Sequence, residues 1–156
     1  MPAHGAELNW TAGTREDFLA GRYARRHEIR FDGGAVLAGS SSPSVVRAPL
    51  SDPSAADPEE MFVASIASCH MLWFLDYARR AGVFVRAYRD APSGEMGKNA
   101  EGRTAVLGVT LRPYAECDAD AATLEELHHK AHEACFIANS VTSDVRVEPV
   151  FEIAKV

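Results

Sequence analysis

Residues 57–82 read DPEEMFVASIASCHMLWFLDYARRAG. Asp57 is an N-cap residue, Pro58 falls at the first helical position where its missing N–H costs nothing, and Glu60 stands three residues after Asp57 as in a capping box. No charge interrupts Met61 to Leu75, after which Arg79 and Arg80 suit a helix C-terminus and Gly82 supplies a left-handed stop. The spacing predicts a helix over Pro58–Ala81. Because Met61 to Leu75 is apolar nearly all round, the helix needs cover on most sides, more than a small sheet gives, and a partner subunit is expected to supply it. The uncharged run is shorter than the ~18 to 20 apolar residues that cross a bilayer and contains Ser65, Ser68 and His70, so it reads as a core helix and not a membrane span.

On the N-terminal side, Arg22–Phe31, the hairpin signal Asp32-Gly33-Gly34, Ala35–Ala38 and Val45–Ala48 read as a small β-meander. The Ser-, Asp- and Pro-rich stretch from Ser51 to Asp57 is a loop into the helix. On the C-terminal side, Val83–Asp90 and Arg103–Tyr114 are expected strands, with Gly94, Gly97 and Gly102 at the bends between them. In the second strand Ala105, Leu107, Val109 and Leu111 alternate onto one face. Thr123-Leu-Glu-Glu126 opens a second helix with Leu124, Leu127, Ala131, Ala134, Cys135 and Ala138 at three-and-four spacing and Asn139 as its stop. A last strand, Asp144–Ile153, is interrupted by Pro149. The class is α+β: an N-terminal β-meander, a long buried central helix, further antiparallel strands and a second helix, in one domain over residues 1–156.

With 156 residues and 47% hydrophobic content the chain can bury a core without disulfide staples. A formal net charge of −6 argues against a nucleic-acid partner, which calls for a basic face. The N-terminal residues lack a basic segment followed by an apolar one, so no secretory signal is read and the cytoplasm is the expected location. Three cysteines, an odd number, make a permanent disulfide framework improbable there.

Two of the cysteines, Cys69 and Cys135, sit inside apolar helical segments, which points to thiol redox chemistry. A free thiol, with pKa ~8.5, is only a few per cent thiolate at neutral pH, and lowering that value by ~3 units takes about 4 kcal/mol of differential stabilisation. Cys69 lies mid-helix, too far from the helix N-terminus to draw on the dipole, so a cation must come from elsewhere. Arg25 and Arg26, in GRYARRHEIRF, are the candidates, and on a strand only one of the two points inward. A desolvated arginine needs a counter-ion, which Glu59 can supply as a bidentate partner while Glu60 caps the helix.

The run DPEEMFVASIASC, with Glu59 ten residues before Cys69, resembles the OsmC/Ohr family of osmotically inducible and organic hydroperoxide resistance proteins, and HEACFIANSV around Cys135 resembles that family's second cysteine segment. The early Tyr23 and Arg25, the hairpin signal and the element order also match, so the resemblance covers nearly the whole chain. It implies an intertwined homodimer and a cysteine-based peroxidase that uses no metal or other cofactor. Cys69 would be the peroxidatic thiolate, Cys135 the resolving thiol, Arg25 rather than Arg26 the activating cation and Glu59 its anchor. The substrate would be an organic hydroperoxide, and a dithiol or lipoyl-type reductant would reopen the Cys69–Cys135 disulfide; neither nucleic acid nor membrane would take part. A disulfide requires α-carbons within about 7 Å, so the two helices should cross at the cysteines. Met61, Phe62, Met71, Leu72 and Phe136 would favour a bulky hydroperoxide. His70 stands where the Ohr branch carries an aromatic residue, so the chain resembles an OsmC-like subgroup more closely.

Other readings compete. His128, His132 and Cys135 occupy i, i+4 and i+7 of one helix face, a spacing that can present three metal ligands. A third reading is a non-catalytic dimer of the same fold that binds a small molecule or senses redox state. His70 points about 100° from Cys69 around the helix and is expected to pack or hydrogen-bond elsewhere. Cys117 is read as incidental.

Overall fold

The computed structural model describes residues 3–151, in the order β1 (Ala6–Asn9), α1 (Arg15–Leu19), β2 (His27–Phe31), β3 (Val36–Gly39), α2 (Pro58–Arg80), β4 (Val85–Arg89), β5 (Ser93–Lys98), β6 (Thr104–Leu111), β7 (Tyr114–Cys117), α3 (Ala121–Ala134), a 3-10 turn at Ala138–Ser140 and β8 (Asp144–Val147). The class is α+β. The chain divides into two compact units, Met1–Met61 and Phe62–Val156.

In the first unit β1, β2 and β3 form an antiparallel meander, with Leu8 opposite Ile29 and Ile29 opposite Leu37. The hairpin closes where expected, with Gly34 at φ 89° and its N–H on the Phe31 carbonyl. The strand expected from Arg22 begins only at His27. Upstream of it the Arg22 N–H turns back to the Asp17 carbonyl and the Arg25 N–H bonds Leu50 O, outside any ladder. Val45–Ala48 is a turn and not a strand, since the N–H groups of Val45 and Val46 both bond Ser42 O between Pro43 and Pro49. Neither β1 nor α1 was foreseen; both are short and carry no buried residue.

The ends of α2 follow from local chemistry. The Glu60 N–H donates to Asp57 Oδ1 at 2.7 Å and the Asp57 N–H to Glu60 Oε2 at 3.0 Å, the reciprocal bonds of a capping box. At the other end Gly82 takes φ 73°, the Val83 N–H reaches Ala78 O and the Gly82 N–H reaches Arg79 O, a Schellman close. At 23 residues α2 is long and apolar enough by length and composition to cross a membrane, yet its buried residues form one stripe, Ile66, Ala67, His70, Phe74 and Ala78. Ala64, Ser65, Ser68 and Leu72 are exposed, so the helix is buried on one face and not all round.

In the second unit that stripe has two seats. Ile66 and Ala67 pack with Val109 and Leu111 of β6, and Phe74 and Ala78 pack with Leu124, Leu127 and Ala131 of α3. Each such fully buried large apolar side chain contributes about 2 kcal/mol relative to exposure. Gly94 and Gly97 lie inside β5 and not at bends, because the strand passes so close to its neighbours that a Cβ at Gly97 would sit 2.5 Å from Leu107 Cδ1. The expected alternation of β6 breaks at Leu107. Glu95 pairs with Gly108 and Met96 with Val106, so Leu107 is an extra residue that reverses the pleat, and Val106 joins Val109 and Leu111 on the core side. The last strand corrects the antiparallel expectation: β8 pairs parallel to β6, Gly108 with Asp144 through Leu111 with Val147, because α3 intervenes as a crossover. The strand expected to Ile153 stops at Val147: residues 148–151 form no strand, as Pro149 interrupts the run, and residues 152 and 153 lie outside the described residues.

Candidate active site

The two cysteines in apolar segments come together in the second unit. Helix α3 begins one turn earlier than Thr123 suggests, since Asp120 caps it through the Thr123 N–H, and it ends at Ala134. Cys135 is its C-cap, at ψ 109°, so the chain leaves the helix there and the second cysteine is not on a helix. That exit carries Cys135 Sγ, wholly buried, to 3.9 Å from the Ile66 carbonyl of α2, one turn before the half-buried Cys69. Both thiols are free. Burial first, and then the neighbouring Cys69 sulfur, push the Cys135 pKa up to about 11, against the Ala138 N–H at 3.4 Å. Cys135 therefore holds its proton at neutral pH while Cys69 is the more accessible thiol. Trp73 meets exposed Phe136 edge-on at 5.3 Å beside them.

Arg25 and Glu59 lie in the first unit. Arg25 lines a cavity of about 400 Å³ with Trp10, Phe18, Tyr23, His27 and Ser41. Its guanidinium stacks 3.7 Å above the Tyr23 ring and donates to the Gly21 and Tyr23 carbonyls. Arg26 instead pairs with Asp52, so of the two arginines it is Arg25 that faces the cavity. The expected Arg25–Glu59 pair is not formed. The segment before His27 coils back on itself, which brings carbonyl acceptors to Arg25, and Glu59 Oε2 is buried without a partner. His27 is pressed onto Gly39, where a Cβ would lie 2.4 Å from Nε2, and its Nδ1 is 2.9 Å from Arg25 O.

The histidines form a cluster of their own. His70 Nε2 is 3.0 Å from His128 Nδ1, the rings are parallel within 5°, and His128 stacks on Phe74 at 4.2 Å. Burial, then the neighbouring His128 and His132, brings the His70 pKa down to about 3; burial alone brings His128 to about 4. Both rings are neutral at ordinary pH. The metal-ligand set His128, His132 and Cys135 is not assembled: no group of three ligating side chains converges among the described residues, since His128 turns to His70 and Cys135 to Ile66. The His70–His128 contact was missed from sequence, although Ile66, His70 and Phe74 at i, i+4, i+8 place His70 on the buried stripe.

Residues 51–150 match the family model of OsmC-like proteins. An OsmC-like protein of unknown function from Vibrio cholerae superposes with TM-score 0.91 at 43% identity, over 96% of this chain and all of that one. OhrB, the organic hydroperoxide resistance protein of Bacillus subtilis, superposes at 0.68 with 22% identity over 94% of this chain and 98% of its own. An organic hydroperoxide resistance protein from Elizabethkingia anophelis, with thiocyanate bound, gives 0.70 at 16% identity over 96% and 94%. At those identities the last two share the fold. No curated protein matches the chain.

Proposed function

Because this chain belongs to the OsmC-like protein family, we propose that it is a cysteine-based thiol peroxidase that reduces organic hydroperoxides. The observation that carries the reading is the pair of free thiols, one half-buried on α2 and one wholly buried beside it with a raised pKa. A nucleophile and a resolving thiol need that asymmetry: the first must meet the peroxide and the second must wait. The Cys69 thiolate attacks the distal peroxide oxygen, the O–O bond breaks, and the alkoxide leaves as the alcohol after taking a proton, so Cys69 becomes a sulfenic acid. Cys135 sulfur then attacks Cys69 sulfur; the hydroxyl leaves with the Cys135 proton as water, and a disulfide remains. A dithiol or lipoyl-type reductant returns both thiols and is itself oxidised to a disulfide.

By family likeness Arg25 is the proposed cation for the thiolate and the peroxide. It is charged at any working pH and has no carboxylate partner among the described residues. Glu59, with its unpartnered buried oxygen, is the proposed counter-ion once Arg25 leaves the carbonyls. The proposed assembly is a homodimer in the cytoplasm.

The test is intact mass and thiol count after one equivalent of cumene hydroperoxide, on wild type, Cys69→Ser and Cys135→Ser. A rapid Cys69–Cys135 disulfide, with sulfenic acid trapped on Cys69 when Cys135 is absent, is the expected result. Slow, unselective oxidation of all three thiols would overturn the peroxidase reading in favour of a binding or sensing protein.

A further inference from the structure

Besides the long contact from the Cys135 thiol at the C-cap of α3 to the Ile66 carbonyl, the seam between α2 and α3 carries one directional contact. Phe74 and Ala78 meet Leu124, Leu127 and Ala131 through apolar surface, which holds two helices together but resists a sliding movement only weakly. His70 Nε2 to His128 Nδ1, at 3.0 Å, is the only side-chain to side-chain hydrogen bond that joins these helices among the described residues. Such a bond tolerates little change in distance or angle. His70 is the residue after Cys69, and His128 lies two helical turns before Cys135 on α3 and its cap. Any shift of register between the helices is therefore a shift between the two sulfurs.

The tautomer follows from what is left unpaired. His70 Nδ1 is buried without a partner. If Nε2 accepted, Nδ1 would carry an orphaned buried N–H; if Nε2 donates, only a lone pair is stranded, the cheaper arrangement. His70 thus donates to His128 Nδ1, and His128 keeps its proton on Nε2. Even so, one nitrogen is left unsatisfied in the core, where two apolar side chains of similar shape would leave none. Stability alone does not account for the pair, whereas fixing one register among several does.

We propose that the His70–His128 hydrogen bond is a register pin that holds Cys135 within bonding distance of Cys69, so that these histidines are positioning residues for disulfide closure. The proposal rests on the thiol-pair reading above but concerns its second step. The pin makes closure fast without touching the peroxide.

The test separates closure from attack. In a redox titration the reduced protein reacts with glutathione disulfide to give the protein disulfide and two glutathione thiols, and the equilibrium reads the effective concentration of one cysteine at the other. His70→Phe and His128→Leu, alone and together, should lower it by roughly 10- to 100-fold, the penalty of a displacement near 1 Å. The pair His70→Gln/His128→Asn should restore it to within a few-fold, because a glutamine amide N–H reaches the Nε2 position and an asparagine carbonyl the Nδ1 position. The urea midpoint of the double apolar variant should be unchanged or higher. Stopped flow with cumene hydroperoxide should show Cys69 oxidation little altered and sulfenic acid persisting several-fold longer.

Equal effective concentrations in wild type and the apolar variants, or no rescue by the amide pair, would overturn the pin. So would a fall in closure accompanied by an equal loss of stability, the mark of a merely structural role. If wild type closes the disulfide with glutathione but consumes no peroxide, the peroxidase reading fails and the pin stands.

Discussion

Lowering the pH from about 7.5 to about 4.5 asks the buried His70–His128 pair to accept protons that the unfolded chain takes up freely. The folded pKa values, about 3 for His70 and about 4 for His128, lie below the ordinary 6.5, so between these limits the unfolded state binds more protons and stability falls with falling pH. Above about pH 7.5 neither state is protonated to any extent at these sites and the profile is flat. Each histidine contributes ~1 kcal/mol per pH unit averaged over this range, so the pair should cost roughly 4 kcal/mol between pH 6.5 and 4.5, a large part of the whole stability of many domains. The carboxylates with lowered pKa, Asp52, Asp76, Asp120 and Glu126, act at and below the lower edge of this window, where Asp90, whose pKa burial raises, works in the opposite sense. The assay is urea unfolding at fixed protein concentration at half-unit intervals of pH, on wild type and His70→Phe/His128→Leu. Wild type should lose most of its unfolding free energy between pH 6.5 and 4.5 and the variant should lose much less. Equal slopes in that window would refute the reasoning, since they would place the acid-sensitive groups elsewhere.

Three further outcomes follow from the geometry. Arg25→Ala should slow oxidation of Cys69 by cumene hydroperoxide by roughly 10- to 100-fold, the worth of a lost hydrogen bond to a charged group, while Arg26→Ala, which breaks only the exposed pair with Asp52, leaves the stopped-flow rate unchanged. Gly39→Ala should force the His27 ring from a position 2.4 Å from the new Cβ and cost about 1 to 3 kcal/mol in urea unfolding, with much of the loss recovered in His27→Ala/Gly39→Ala. Asp57→Ala should lose about 1 kcal/mol by the same measurement, because the Glu60 N–H loses its acceptor and the Glu60 carboxylate its orientation.

Helix α2 was legible because both of its ends are written locally: Asp57, Pro58 and Glu60 open it, and Gly82 closes it by adopting a conformation other residues avoid. Signals that depend on a distant neighbour were not legible. Gly97 looks like a bend until Leu107 is seen to fill the space of its missing side chain, and Leu107 looks like a core residue until the pairing of β5 makes it the bulge. The coil before His27 escaped because its N–H groups bond Asp17 and Leu50 and not a partner strand. At the thiols, resemblance indicated the pairing of Cys69 with Cys135, but spacing alone could not, and it suggested a metal set whose members turn away from one another. His70 was legible as a buried residue; its partner, 58 positions along the chain, was not.

The raised pKa of Cys135 also bears on the order of events in the proposed cycle. Burial is its first cause and persists throughout, but the contribution of Cys69 depends on the state of that sulfur. An anionic Cys69 accepts the Cys135 proton in a hydrogen bond and opposes a second negative charge beside it, so Cys135 stays protonated and does not compete for peroxide. Once Cys69 is a neutral sulfenic acid, both effects vanish and the Cys135 pKa falls, with the Ala138 N–H still favouring its thiolate. The oxidised product of the first step thereby releases the nucleophile of the second. Titration of Cys135 by its ultraviolet thiolate absorbance, in Cys69→Ser and in wild type, checks this. Cys135 should ionise at a lower pH in the variant, where no charge develops at position 69; identical titration curves would mean that burial alone keeps the second thiol in reserve.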